Sequence, residues 1–413
     1  MARMEEYAAY MDPQMREEFG AFLAVYQEKG TRAAERSSLS RVLDPDEVDR
    51  WVHDYVDAGR LEGNFEVAPR LPELEREGVC AEVLFPDFGL PFELYNPSVA
   101  AVMNHPPRTP GQVDAGNRAH NRWLADFCSQ APERFAGMAS IAFDDPAEAV
   151  RQIHAAKEAG LKGVMIPTFS DEVPLYDRRF DPVWSTLEDL DLPANSHTGT
   201  SGTTRRVPHV PSPPHPSCAG PMYRPVYEFY THLVLVHLVW GGVLERHPRL
   251  KVVFTEQGSG WVPGRLTSMD YSYEGSYMRR DVREVVKHKP SEYFARQCWI
   301  GSSLLSRAEI AARHQIGVDK MMIGVDYPHH EGTWNGGNLD YLQATLGAEH
   351  VPETEARLML GGTIARVFGF DPAKLAPIAE RIGPTPQRIL TPPTEDKFPR
   401  GDVHKPLSGT LTR

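Results

Sequence analysis

The chain has 413 residues, 41% of them hydrophobic and 24% charged, with a formal net charge of −12. That apolar share allows a sizeable core and excludes global disorder. The acidic balance excludes nucleic acid and anionic membrane as main partners, but not a small anionic substrate held at a locally positive site.

The first residues, MARMEEYAAYMDPQMREEF, are charged and contain no apolar h-region, so no signal peptide is read there. Residues 1–77 are acidic and helix-like, as in MDPQMREEFGAFLAVYQEKG and DPDEVDRWVHDYVDAG, and offer no buried strand. They are expected to form a helical segment packing on the rest. From residue 78 short apolar runs recur: GVCAEVLFP, FAGMASIAF, LKGVMIP, LPANSHTG, LKVVFTEQG, QCWIGSS and KMMIGVDYP. None alternates cleanly between polar and apolar, which marks strands buried on both faces, as in parallel sheets.

Helical signals separate the runs. Asp145-Pro146 opens AEAVRQIHAAKEAG with an acidic N-cap, Pro in the first turn and Gly160 as the stop, and Asp181-Pro182 opens VWSTLEDL in the same way. Asn117 to Ser129 reads as a helix. The stretch TTRRVPHVPSPPHPSCAGP (203–221) is a proline-rich excursion loop. LVLVHLVWGGVL is too short to span a bilayer and reads as a buried helix. Residues 391–413 are poor in apolar groups and are expected to form an extended or mobile tail, which could serve as an arm in a homodimer. Cys80, Cys128, Cys218 and Cys298 contain no CxxC pair and read as reduced thiols of a cytoplasmic protein. No GxGxxG follows a candidate strand, so dinucleotide binding is set aside.

Alternating strands and helices indicate an α/β fold, specifically a TIM-type (β/α)8 barrel spanning residues 78–390. Such a barrel needs eight strands and the runs supply seven; the shortfall is at the front, so the first strand is missing or atypical in this chain. A barrel without it exposes two strand edges, which something should cover.

In these barrels the active site lies at the C-terminal ends of the strands. There the sequence puts His197, then Glu256, then Asp326 followed by Tyr327-Pro328-His329-His330. Each residue alone has a plain structural reading, as a strand-end hydrogen bonder or a loop cap. Three at three strand ends of one barrel favour a site, because imidazole and carboxylate form the ligand set for zinc, manganese or iron. Arg205 and Arg206 follow the fourth run, where a guanidinium can hold a carboxylate or simply be solvated. Trp261 after the Gly-Ser-Gly turn can stack on a ring or pack under the barrel.

Several blocks resemble the amidohydrolase superfamily, in the branch of aminocarboxymuconate-semialdehyde decarboxylase. They are RWLADFCSQAPERFAGMASIAFDDPAEAVRQIHAAKEAGLKGVMIP, YDRRFDPVWSTLEDLDLPANSHTG, GGVLERHPRLKVVFTEQGSGWVP, IGVDYPHHEG and GGTIARVFGFDPAKL. The resemblance implies a barrel with one divalent metal ion, His197 as the strand-five ligand and Asp326 as the strand-eight ligand. Asp326 would bind the metal or act on its water. His329 and His330 would then be substrate or outer contacts, or polar loop residues. Two features depart from the family. No His-x-His or Glu-x-His occurs in the first 78 residues, where His53 is the only histidine and reads as a solvated helix residue. The chain either begins downstream of the first strand or lacks it. Glu256 stands where many relatives carry an acid/base His; it can transfer protons if burial raises its pKa, or bind metal. The implied function is a metal-dependent hydrolase or non-oxidative decarboxylase of a small carboxylated or cyclic compound, with Glu256 and Asp326 as catalytic groups. The rival is a catalytically impaired barrel that lacks the strand-one ligands and serves binding or assembly.

Overall fold

The structure, a computed structural model, describes residues 2–28, 44–86, 90–93, 108–167, 173–197, 215, 218–275 and 279–394. Arg205, Arg206 and the tail from residue 395 lie outside the described residues.

All seven apolar runs are strands: β1 (Glu82–Leu84), β2 (Phe135–Ser140), β3 (Gly163–Met165), β4 (Ala194–His197), β5 (Val252–Thr255), β6 (Cys298–Ser303) and β7 (Met321–Gly324). The helices used below are α1 (Arg16–Glu28), α2 (Val67–Arg76), α3 (Pro110–Ser129), α4 (Pro146–Glu158), α5 (Asp181–Asp189), α6 (Ala219–Trp240), α7 (Trp261–Glu274), α8 (Pro290–Gln297), α9 (Arg307–Ala311) and α10 (Thr363–Phe368). The strands form one seven-stranded sheet in sequence order, and every adjacent pair is parallel. At least one helix lies in the chain between consecutive strands, the connectivity of an α/β barrel.

Both strand faces are apolar because both are covered. Alternate residues point to opposite sides of a strand. Val164, Ala194, Val252, Phe254 and Ile300 join the large outer core against the helices. Met138, Met165, Val253, Trp299 and Met322 form a second cluster with Phe368 and Phe370 that plugs the barrel interior. Lys320 lies 4.8 Å over the Trp299 ring, an ammonium carried on the floor of the barrel by a π face.

Three helix starts differ from the sequence reading, one of them α6, which begins at Ala219, inside the stretch 203–221 read as a loop. α3 begins at Pro110, a full two turns before Asn117, because Thr109 caps it: Thr109 Oγ1 accepts from the Gln112 amide at 3.2 Å and Gln112 Oε1 accepts from the Thr109 amide at 3.0 Å. Asp181 lies inside α5 and does not cap it. Its carboxylate accepts instead from Arg246 Nη2 at 2.7 Å, because a guanidinium is a stronger partner than a helix amide. Asp145 does cap α4, accepting from the Ala147 amide at 2.9 Å, and Gly160 takes the left-handed conformation beyond the helix end.

The front segment packs as helices. Tyr7 is fully buried, with its hydroxyl 2.9 Å from His120 Nδ1 on α3, and Asp12 pairs with Arg118 and Arg122 on the same helix. His53 is exposed and pairs with Asp54. No strand occurs among the described residues before Glu82.

The sheet order ends at β1 on one side and β7 on the other, so these edges do not pair. Arg70 of α2 bridges them. It is 4% exposed, donates Nη2 to Glu82 Oε2 of β1 at 2.9 Å and Nη1 to the Gly63 carbonyl at 3.0 Å. The same guanidinium lies 4.7 Å over the ring of Tyr327, just past β7, and the Tyr327 hydroxyl donates to the Arg60 carbonyl at 2.8 Å.

Replacing Arg70 by Met leaves the Glu82 carboxylate in a buried place without its cation. The expected cost is about 3–5 kcal/mol, read as a lower urea midpoint, and Arg70→Met with Glu82→Gln should recover part of it. A second prediction concerns acid. Burial pushes the His120 imidazole down from its usual 6.5 to about 3. The unfolded chain therefore takes up this proton near pH 6.5 and the folded one does not. The stability is complete above that pH and is lost as pH falls toward 3, roughly 2 kcal/mol of it by pH 5. Urea unfolding of His120→Gln should change less between pH 7 and pH 5 than that of the unaltered protein.

Candidate functional site

The C-terminal ends of β4, β5 and β7 bring His197, Glu256 and Asp326 to one mouth. β4 is buried through Asn195 and Ser196, and only its last residue, His197, is part-exposed. Asn195 and His197 share the inner face by period-two alternation. Asn195 donates to the Pro193 carbonyl at 3.0 Å, which spends a polar side chain inside the barrel on backbone and leaves His197 at the rim. The ring of Phe85, just after β1, lies 5.2 Å from that of His197.

β5 needs a break in its pattern to deliver Glu256. Val253 faces the interior and Thr255 lines the cavity, so continued alternation would send residue 256 outward. Glu256 has φ 56, a left-handed conformation that ends the strand, and its carboxylate lies at the mouth, with Oε2 3.3 Å from His197 Nε2. A non-glycine residue there costs about 1–3 kcal/mol and persists where surrounding contacts dictate it. Gln257 supplies one such contact: it is 6% exposed and its Nε2 donates to the Ser196 carbonyl at 2.8 Å, tying the loop after β5 to the end of β4.

Asp326, two residues past β7, also has φ 62, but alternation from Met322 and Gly324 already points it inward, and the following Tyr327-Pro328 peptide bond is cis. The loop folds back through His329 N to Asp326 O at 2.8 Å and Thr333 N to Val325 O at 2.9 Å. Oxygens of Glu256, Asp326 and Glu331 lie within 4.8 Å of one another, a spacing a single cation can bridge. This is a carboxylate-rich set with one imidazole at its edge.

A cavity of about 800 Å³ opens at this mouth. His197, Thr255, Glu256, Asp326 and His329 line it above, and residues of both unpaired edges, Val83 and Met322 among them, line its side. Ile364 and Phe368 of α10 also line it, and it continues past them along Leu375, Pro384 and Leu390.

The remaining residues singled out in the sequence fall elsewhere. His330 packs its ring edge-on to Trp51 at 6.1 Å, and burial holds its pKa below the usual histidine value. Trp261, the first residue of α7, stacks on His232 of α6 at 4.2 Å and donates to the Gly258 carbonyl, and it is not among the cavity-lining residues. Sequence reasoning passed over Glu331, although it directly follows His330, and Gln257, whose role needs the β4 backbone beside it. It also passed over Glu309, which shows in sequence only as the last residue of a Ser-x-x-Glu helix start.

A parallel α/β barrel with imidazole and carboxylates converging at the C-terminal strand ends has the architecture of a barrel enzyme. The sequence pattern of the Amidohydrolase family (Amidohydro_2) matches residues 81–370, and the chain belongs to that family. Within the superfamily it is an enzyme of the hydrolase or carboxy-lyase kind. It is 26% identical over 278 residues to gamma-resorcylate decarboxylase of a Rhizobium species, covering 63% of this chain and 78% of that protein. It is 25% identical over 264 residues to 2-amino-3-carboxymuconate-6-semialdehyde decarboxylase of Dictyostelium discoideum, covering 62% and 66%. The fold matches 5-carboxyvanillate decarboxylase of Novosphingobium aromaticivorans, a structure complexed with manganese, with TM-score 0.55 and 20% identity over 73% of this chain and 79% of that one.

Proposed function

We propose that the chain is a metal-dependent carboxy-lyase that releases carbon dioxide from a small hydroxylated aromatic carboxylate. The observation that carries this reading is the convergence of His197, Glu256 and Asp326 at the mouth of a barrel whose family relatives include decarboxylases. The same convergence disfavours the impaired-barrel rival, since a barrel without chemistry has no need of left-handed strand ends that cluster carboxylates.

The donor set fits a divalent cation. Asp326 and Glu331 would hold it, their oxygens within 4.8 Å of each other, and His197, whose Nε2 lies 3.3 Å from Glu256, would complete the set from the edge. Two carboxylates and one imidazole, with Glu256 left to move protons, make an oxygen-rich site, which favours manganese over zinc. When bound, such an ion supplies Lewis-acid polarisation of the substrate's oxygens. The protein's own part is positioning and proton transfer. The ring of Phe85 and the apolar side of the cavity would hold the aromatic ring, with the substrate carboxylate toward His197 and Asp326. Decarboxylation replaces the ring carboxylate by hydrogen. The carbon that bears it takes up a proton, the carbon–carbon bond breaks, and its electron pair restores the ring while carbon dioxide leaves. Glu256 is the proton carrier, at hydrogen-bond distance from His197, whose imidazole can pass charge to it or hold it in place.

Incubation with gamma-resorcylate and manganese is expected to release carbon dioxide, and chelation should abolish it. Ring opening of lactones without carbon dioxide would move the assignment to a hydrolase. Glu256→Gln should lower kcat about 10²–10⁴-fold with metal retained, the range for a lost general acid–base group. His197→Ala and Asp326→Ala should lower manganese content, measured by elemental mass spectrometry; unchanged content in both would refute their assignment as ligands.

A further inference from the structure

We infer that Glu309 is a positioning residue for Glu256: its carboxylate clamps the loop after β5 in the conformation that aims Glu256 at the mouth. The inference rests on the proposed function only for what Glu256 does, not for how it is held.

Glu309 lies in the first turn of α9, where Ser306 is the N-cap. One carboxylate oxygen serves that helix: Oε2 accepts from the Ser306 amide at 2.8 Å and from Ser306 Oγ at 2.9 Å. The other oxygen serves a different loop. Oε1 accepts from the Ser259 amide at 2.6 Å, from Ser259 Oγ at 3.2 Å and from the Gly260 amide at 3.1 Å. A capping carboxylate ordinarily ends its work inside its own helix. Here the same group also gathers the donors that open α7, three and four residues after Glu256.

Between Glu256 and that grip the chain has little freedom. Gln257 is anchored to the Ser196 carbonyl and Gly258 has φ 61. A Cβ at Gly258 would lie 3.0 Å from Glu309 Oε1, so the glycine also makes room for the carboxylate. The left-handed Glu256 therefore sits between two fixed points, the strand on one side and the Gln257–Glu309 grip on the other. Burial alone would raise the pKa of Glu309. The amides of Ser259, Ser306 and Gly260 and the Ser306 hydroxyl outweigh it and hold the group below its usual range, as a charge-assisted clamp requires. Glu309 does not line the cavity, which leaves it to act through the loop.

The clamp needs two acceptor oxygens facing donors at both ends. Glu309→Gln keeps the shape but turns an amide NH2 toward donors at one end and removes the charge. Ser306→Ala is the control, because it weakens the same helix cap and leaves Oε1 on the loop. Two readouts are compared: amide hydrogen exchange in peptides covering 256–260, and kcat and KM for carbon dioxide release from gamma-resorcylate with manganese. Glu309→Gln is expected to lose exchange protection at 257–260 and to lose kcat about 10–100-fold, the usual cost of removing a supporting partner, with KM little changed. Ser306→Ala should keep both close to the unaltered protein. Equal loss of kcat in the two variants, or unchanged exchange at 257–260 in Glu309→Gln, overturns the inference. If the unaltered protein releases no carbon dioxide from any acid tried, the proposed function fails by itself. Exchange then decides alone: protection lost in Glu309→Gln but kept in Ser306→Ala supports the clamp, and any other pattern sinks it. Should Glu309→Gln not fold, Glu309→Asp carries the same comparison, since it keeps the charge and loses the reach between the two loops.

Discussion

The first and last strands of this sheet are joined by a buried guanidinium in place of a backbone ladder. Arg70 pairs with Glu82 on β1 and lies over the Tyr327 ring just past β7, while Tyr327 bonds back to the Arg60 carbonyl. A seven-stranded parallel sheet with free edges has unmet backbone groups on both sides and every reason to open. Side-chain contacts from α2 and the residues before it hold the edges at a distance instead of zipping them together. Because the edges stay apart, the cavity is continuous from the acidic mouth to the wall formed by β1 and β7.

The site depends on the same sheet in another way. Parallel strands all present their C-terminal ends to one side, so residues far apart in sequence, such as His197 and Asp326, reach one opening. Position at the opening is not enough, because strand alternation sends every second residue outward. The left-handed turn at Glu256 resolves this by breaking β5 at the residue that carries the carboxylate, whereas Asp326 follows Met322 and Gly324 on the inner face. The strain is local, and the hydrogen bonds of Gln257 and of the backbone after Asp326 hold it. The geometry of this mouth is thus set by backbone conformation at strand ends and by the polar contacts just behind them.

The acidic character of the whole molecule does not conflict with an anionic substrate. Carboxylates crowded within 4.8 Å repel one another and favour a cation among them, and a cation in turn attracts a substrate carboxylate. The apolar part of the cavity wall and Phe85 offer surface beside these groups without adding charge.

The sequence by itself determined the seven strands, their parallel order, the absence of a strand among the described residues before Glu82, and three residues that share the mouth. It could do so because two-sided burial writes long apolar runs, and because a strand-end His, Glu or Asp is visible as a polar residue ending such a run. Helix starts were less legible. Asp145 capped its helix and Asp181 did not, since Arg246 comes from 65 residues away and outcompetes a local amide. Only the tertiary structure decided that Trp261 packs on His232, that His330 turns toward Trp51, and that Glu331 joins Glu256 and Asp326. It also decided that Arg70 spans the two edges and that Glu309 reaches a second loop. Each of these rests on a contact between segments distant in sequence, and a linear pattern carries local period and turn chemistry but not the partner that folding brings alongside.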